Sequence, residues 1–139
     1  MTWTLNRWSP RMGGMATTKD RQLVEQWRSI QDAYFRTSCA LDRVLDAKFN
    51  IGLNEFEILD LVAENEQPHC RMKELGERTP MSQSAVSKVV DRLEKAGLLT
   101  RLSCADDRRS LFLELTEAGR TLYAAAAVEH RNLLKENLG

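Results

Sequence analysis

The chain has 139 residues, enough for one domain with a buried core. Hydrophobic residues make up 42% and charged residues 29%, which excludes a disordered chain, and no apolar run is long enough to cross a bilayer. Twenty Lys/Arg balance twenty Asp/Glu, so bulk electrostatics announce neither a nucleic-acid binder nor an acidic scaffold.

In residues 1–19, Trp3, Leu5 and Trp8 alternate with polar residues, but no apolar core of a signal peptide follows. Gly13-Gly14-Met15 has the composition of a linker, and a flexible arm is expected up to residue 19, followed by a single domain over 20–139. Cys39, Cys70 and Cys104 are odd in number and widely spaced, which fits a reducing cytoplasm better than a disulfide framework. They form no metal-binding spacing with His69 or His130, so neither a metal nor a cofactor is expected.

Residues 20–48 are predicted to form one long helix. Leu23, Trp27, Ile30, Tyr34, Leu41 and Leu45 recur at helical spacing, and charges fill much of the other face. A stripe that long exceeds what a small domain needs, so either a second subunit or the intrachain core covers it. Cys39 is expected to be a small core residue of this helix. Asn54 and Glu57 mark the next helix start, as cap and capping-box acid, with Phe56, Ile58, Leu59 and Val62 as its buried residues. Asn65-Glu-Gln-Pro68 ends it.

A short amphipathic segment, Arg71–Glu77, and a turn at 78–81 lead into a helix from Ser82 to Lys95. At 100° per residue, Val86, Val89, Val90 and Leu93 share one face. Ser84, Ser87, Lys88, Asp91 and Lys95 share the other, with Arg92 at its margin and Ser82 as the expected cap. An ordinary surface helix is rich in Lys and Glu. A face of short hydroxyl side chains instead lets the backbone approach DNA and bond to base edges or phosphates. Residues 71–109 hold nine Lys/Arg and six Asp/Glu, whereas residues 20–70 hold five and ten, so the candidate reading head is the basic part of the chain.

Gly97 stops the helix. Leu98–Ser103 and Ser110–Leu115 are strand candidates, with Leu111, Leu113 and Leu115 alternating with Ser110, Phe112 and Glu114. The loop between them carries Arg108 and Arg109 beside Asp106 and Asp107. Paired arginines at a loop tip suit a narrow, electronegative minor groove, with Asp106 able to hold an arginine by an ion pair; a solvated, self-cancelling turn is the alternative. Thr116 caps a last helix through Leu138, and its run Ala124–Ala127 is expected to pack against the long first helix, within or between subunits. Helix, turn, helix and β-ribbon in this order make a mainly α winged helix-turn-helix over 54–115, with a small β-wing and long helices at 20–48 and 116–139.

Two segments carry a resemblance to a known family: Met81-Ser-Gln-Ser-Ala-Val-Ser-Lys-Val-Val-Asp-Arg-Leu-Glu-Lys-Ala-Gly-Leu-Leu-Thr-Arg101 and Asp106-Asp-Arg-Arg-Ser-Leu-Phe-Leu-Glu-Leu-Thr-Glu-Ala-Gly119. In that order and at that separation they resemble the multiple-antibiotic-resistance regulator (MarR) family of bacterial transcription factors. The resemblance implies a homodimer on palindromic double-stranded DNA, mostly acting as a repressor, released by a small molecule or by oxidation of a cysteine. It places recognition-helix contacts on Gln83, Ser84, Ser87 and Lys88, and a wing arginine on Arg108 with Asp106 bracing it. Ser82, Arg92 and Arg109 complete the expected DNA-binding set. The family's effector crevice lies between dimer body and winged helix, which points to Tyr34, Phe35, His69 and Arg71 as walls and cation for a small aromatic effector. The competing signal is thiol oxidation at Cys39 or Cys104. Family members usually continue with a further amphipathic stretch, so the expected dimer surface is shorter here. No nucleophile frame or phosphate-cradling loop supports an enzyme. A winged helix used only for protein contacts is the remaining alternative.

Overall fold

The computed structural model describes residues 17–65, 70–103 and 111–139. The chain divides into two units, the first ending at Arg36 and the second running from Thr37 to Gly139. Helix α1 (Thr18–Phe49) contributes to both. It starts two residues before the expected position, because Thr17 and Asp20 form a reciprocal cap: Thr17 Oγ1 accepts from the Asp20 N–H at 3.0 Å and Asp20 Oδ2 accepts from the Thr17 N–H at 3.2 Å. It ends at Asn50, which adopts the left-handed conformation with φ 55°.

In the second unit, α2 (Leu53–Glu64) begins one residue earlier than Asn54. The Asn54 cap and the Glu57 capping box are therefore corrected. Gly52 holds the cap position without a side-chain bond, and the Leu53 N–H donates instead to Asp42 Oδ1 of α1 at 2.9 Å. The acceptor comes from another helix, which no local pattern encodes. Glu57 sits half-buried within α2; burial and the neighbouring Asp60 push its carboxyl pKa up.

A two-residue strand that the sequence pattern does not betray, β1 (Cys70–Arg71), precedes α3 (Met72–Glu77), α4 (Gln83–Lys95), β2 (Leu99–Ser103), β3 (Leu111–Leu115) and α5 (Glu117–Leu138). The strands form an antiparallel sheet in the order β1-β3-β2, with Cys70 opposite Leu113 and Leu99 opposite Leu115. Pairing of β1 turns the expected two-stranded ribbon, marginal on its own, into a three-stranded sheet anchored to α3.

Helix α2 is the hub of the core. Phe56, Ile58, Leu59 and Val62 have no exposure, and around them pack Leu45 of α1, Leu75 of α3, Val86, Val90 and Leu93 of α4, Leu113 and Leu115 of β3, and Ala126 of α5. The expected contact between the first and last long helices is present through Lys48 and Glu129, and within the chain α5 has a second partner. The main helical partner of α5 is α2: the Phe56 ring stacks on Tyr123 at 5.8 Å and lies tilted against His130 at 4.6 Å between centroids. Helix α1 meets α5 through the ion pair Lys48–Glu129 at 2.6 Å. Within the run, Ala126 is buried and Ala124 and Ala125 are exposed, because a helix turns only one row of residues toward the core. Among the described residues no helix is long and apolar enough to cross a membrane.

Candidate nucleic-acid interface

Helix α4 forms where the alternation of short polar and β-branched apolar residues predicts it. Ser82 caps it by accepting from the Ala85 N–H at 3.2 Å, and Val86, Val89, Val90 and Leu93 form the buried face. Ser82, Gln83, Ser84, Lys88, Asp91 and Arg92 are exposed, while Ser87 is half-buried. The first two turns of the helix therefore present hydroxyls, one amide and one ammonium to solvent, with no acidic residue in the first turn. The bared N–H groups of a helix start and these short donors together suit phosphate oxygens and base edges.

Three of the charges on this helix already have partners. Arg101 of β2 binds Asp91 and lies 3.5 Å from Glu94, so the wing's first strand is tied to the recognition helix by one guanidinium between two carboxylates. Asp91, which the helical projection places on the outer face, is thereby paired rather than left free. Arg92 reaches Glu55 of α2 at 3.8 Å; both ends are partly exposed, and such a pair contributes little stability. Arg101 is not among the predicted site residues, because no one-dimensional period connects a strand to the helix before it.

The end of α4 is clamped to the start of α5. After Gly97, whose φ is +77°, the Thr116 N–H donates to the Leu98 carbonyl at 3.1 Å, and the Thr116 hydroxyl donates to the Gly97 carbonyl at 2.6 Å. The same Oγ1 accepts from the Gly119 N–H at 3.0 Å, as the predicted cap requires. A Cβ at Gly119 would overlap the Leu98 carbonyl oxygen, so only glycine permits this approach.

Asp106, Arg108, Arg109, Cys104 and His69 lie outside the described residues. Tyr34 and Phe35 belong to the N-terminal unit and are 73% and 68% exposed. Arg71 belongs to the second unit, exposed at the sheet edge, with its guanidinium 5.7 Å above the Phe112 ring. That contact explains why Phe112, on the nominally polar face of β3, is half-buried. Cys39 is exposed, which corrects its assignment to the core: the buried line of α1 runs through Thr37, Leu41 and Leu45, and Cys39 lies roughly two residues' rotation away from it. Among the described residues no cluster of His, Cys, Asp and Glu could hold a metal ion.

This geometry has counterparts. A sequence model of the MarR family matches residues 49–110. The fold superposes with a TM-score of 0.77 on Sco3205, a MarR family transcriptional regulator from Streptomyces coelicolor solved in complex with DNA, at 30% identity over 88% of this chain and 75% of that one. The chain belongs to the MarR family. Further relatives include the HTH-type transcriptional regulator PecS of Dickeya dadantii, 28% identical over 78% of this chain and 74% of that protein. The homoprotocatechuate degradative operon repressor of Escherichia coli is 26% identical over 75% of this chain and 64% of that protein. As a DNA-binding transcriptional regulator of MarR type, the chain has its winged helix-turn-helix in the region the family model covers, apart from β3.

Proposed function

We propose that this chain is a sequence-specific repressor that binds a palindromic operator as a homodimer and leaves it when a small aromatic ligand binds. The observation that carries the reading is the outer face of α4: exposed hydroxyls at Ser82 and Ser84, the Gln83 amide and the Lys88 ammonium, on a helix whose own acid at Asp91 is held by Arg101. In this reading residues 54–115 are the winged reading head and 20–48 with 116–139 the dimer body. Gln83, Ser84, Ser87 and Lys88 enter the major groove, Arg92 and Ser82 flank it, and Arg108 with Arg109, braced by Asp106, reaches the minor groove. The exposed apolar stripe Leu23, Trp27, Ile30 and Tyr34 supports a second copy as its cover.

Repression and an aromatic signal draw support from the E. coli relative, a repressor of a homoprotocatechuate degradative operon. Tyr34, Phe35, His69 and Arg71 are the proposed effector contacts. The exposure of Cys39 favours one competing signal, a thiol switch.

The test is operator binding by the purified protein and by the Ser84→Ala/Ser87→Ala/Lys88→Ala variant. Loss of each good base contact is expected to cost about 1–3 kcal/mol, and loss of the Lys88 phosphate contact to flatten the salt dependence. Unchanged binding by the triple variant would remove α4 as the reading element. Release by salicylate-like carboxylates, with binding unaffected by peroxide, supports the aromatic signal. Peroxide release of the wild type but not of a Cys39→Ser/Cys104→Ser variant would transfer the signal to the thiols.

A further inference from the structure

Between α2 and α5 lies a polar cluster that the DNA-reading surface does not use. Asp60 of α2 accepts three bonds from α5: the Tyr123 hydroxyl at 2.6 Å, and Arg131 Nη2 and Nη1 at 2.8 and 3.3 Å. Arg131 Nη1 also lies 2.9 Å from Nδ1 of His130, which is buried to 9% exposure with its ring on Phe56. A guanidinium has donors only. The Nδ1 atom at that distance must therefore be an unprotonated acceptor, and the imidazole must be neutral. A proton on Nδ1 would set donor against donor and cation against cation at hydrogen-bond distance. A charged His130 fits this site only if Arg131 leaves, and Arg131 is also the ion-pair partner of Asp60.

We propose that His130, Arg131, Asp60 and Tyr123 form an acid-sensitive latch between the winged helix-turn-helix and the long C-terminal helix, so that protonation of His130 frees α5 from α2 and weakens operator binding. The inference rests on the DNA-binding reading above and adds a signal to it.

The surroundings decide the sign. Burial against Phe56 opposes a charge on His130 most; Arg131 of α5 opposes it as well, and Asp60 of α2 favours it. The outcome is a His130 pKa below its ordinary value. The Tyr123 hydroxyl, buried and bonded to Asp60, is pushed up to about 12 and stays a donor throughout. Glu64 and Glu57 of α2 line the same side, Glu64 coupled to Arg131 and Tyr123, and Glu57 to Asp60. From α1, Lys48 approaches α5 but is held by Glu129, the residue before His130. A histidine with a lowered folded-state pKa supplies stability above its unfolded pKa, and that stability is lost as pH falls through the folded value. Glu57, with a raised pKa, works in the opposite sense: its protonation on acidification favours the folded state.

General electrostatics predict stronger DNA binding on acidification, because the protein gains positive charge. The latch predicts the reverse. The experiment is operator binding between pH 7.5 and 5.0 at constant ionic strength, for His69→Asn and for His69→Asn/His130→Asn. The chain has only two histidines, so the first variant isolates His130. In the double variant the asparagine side-chain carbonyl keeps an acceptor beside Arg131 that cannot be protonated. His69→Asn is expected to lose at least tenfold in affinity on acidification, and the double variant to lose less than threefold. Parallel loss in both variants, or no loss in either, overturns the latch. Where the double variant fails to fold, the imidazole titration of His130 followed by NMR in His69→Asn replaces it. Coincidence of that midpoint with the loss of binding supports the latch, and a midpoint without loss of binding overturns it. Absence of binding by the wild type at pH 7.5 would refute the DNA-binding reading itself, a separate result.

Discussion

Helix α1 carries one apolar stripe whose two halves meet different surroundings. In the second half Leu41 and Leu45 are 4% and 1% exposed; in the first, Leu23, Trp27, Ile30 and Tyr34 continue the same helical repeat and are all more than half exposed. Leu45 belongs to the core cluster built around α2. The difference teaches that helical periodicity marks a face to be covered without specifying the cover. Intrachain core covers one half, and in the proposed dimer a second copy covers the other.

The largest expected effect lies in the buried half. Leu45→Ala should lower the unfolding free energy by about 2–5 kcal/mol in urea titration, since a fully buried leucine leaves a cavity among Phe56-centred neighbours. A loss below about 1 kcal/mol would mean that the two halves are equivalent and would erase the comparison. Next in size is Trp27→Ala in the exposed half. It is expected to raise the dimer dissociation constant by more than tenfold in sedimentation equilibrium, about 2 kcal/mol, while the helix content of the chain is unchanged. An unaltered association constant would show that the second copy sits elsewhere. The smallest effect sharpens the border between the halves. Thr37 is the first buried residue of the stripe, at 6% exposure, and its Oγ1 has no hydrogen-bond partner among the described residues. Thr37→Val replaces an unsatisfied hydroxyl by a methyl and should raise the melting temperature by a few degrees, about 1 kcal/mol. Destabilisation instead would indicate that the hydroxyl is bonded in the assembled protein.

The recognition helix is the most legible part of the candidate site. Its cap at Ser82, its buried valines and its polar outer face all follow from neighbours within four residues, where the helical repeat is a sufficient rule. Thr116 is legible for the same reason. The α2 start is not, because its cap acceptor, Asp42, comes from α1 across a turn. Residue type alone sends Cys39 to the core, and its angle to Leu41 sends it to the surface. The Arg101–Asp91 tie and the Asp60–Arg131 pair, separated by 10 and 71 residues, leave no trace in a local pattern.

The order of residues is enough to say where each long helix runs, which face of α4 is apolar, and that the winged segment is the basic one. These depend on short-range sterics, hydrogen-bond capping and the periodicity of burial. Tertiary structure decided which charges on α4 remain free, that α2 rather than α1 is the main seat of α5, that a two-residue strand completes the sheet, and that His130 faces Arg131. Those outcomes depend on which distant segments the hydrophobic core brings into contact, and contact at long sequence separation is a property of the packed chain rather than of any window within it.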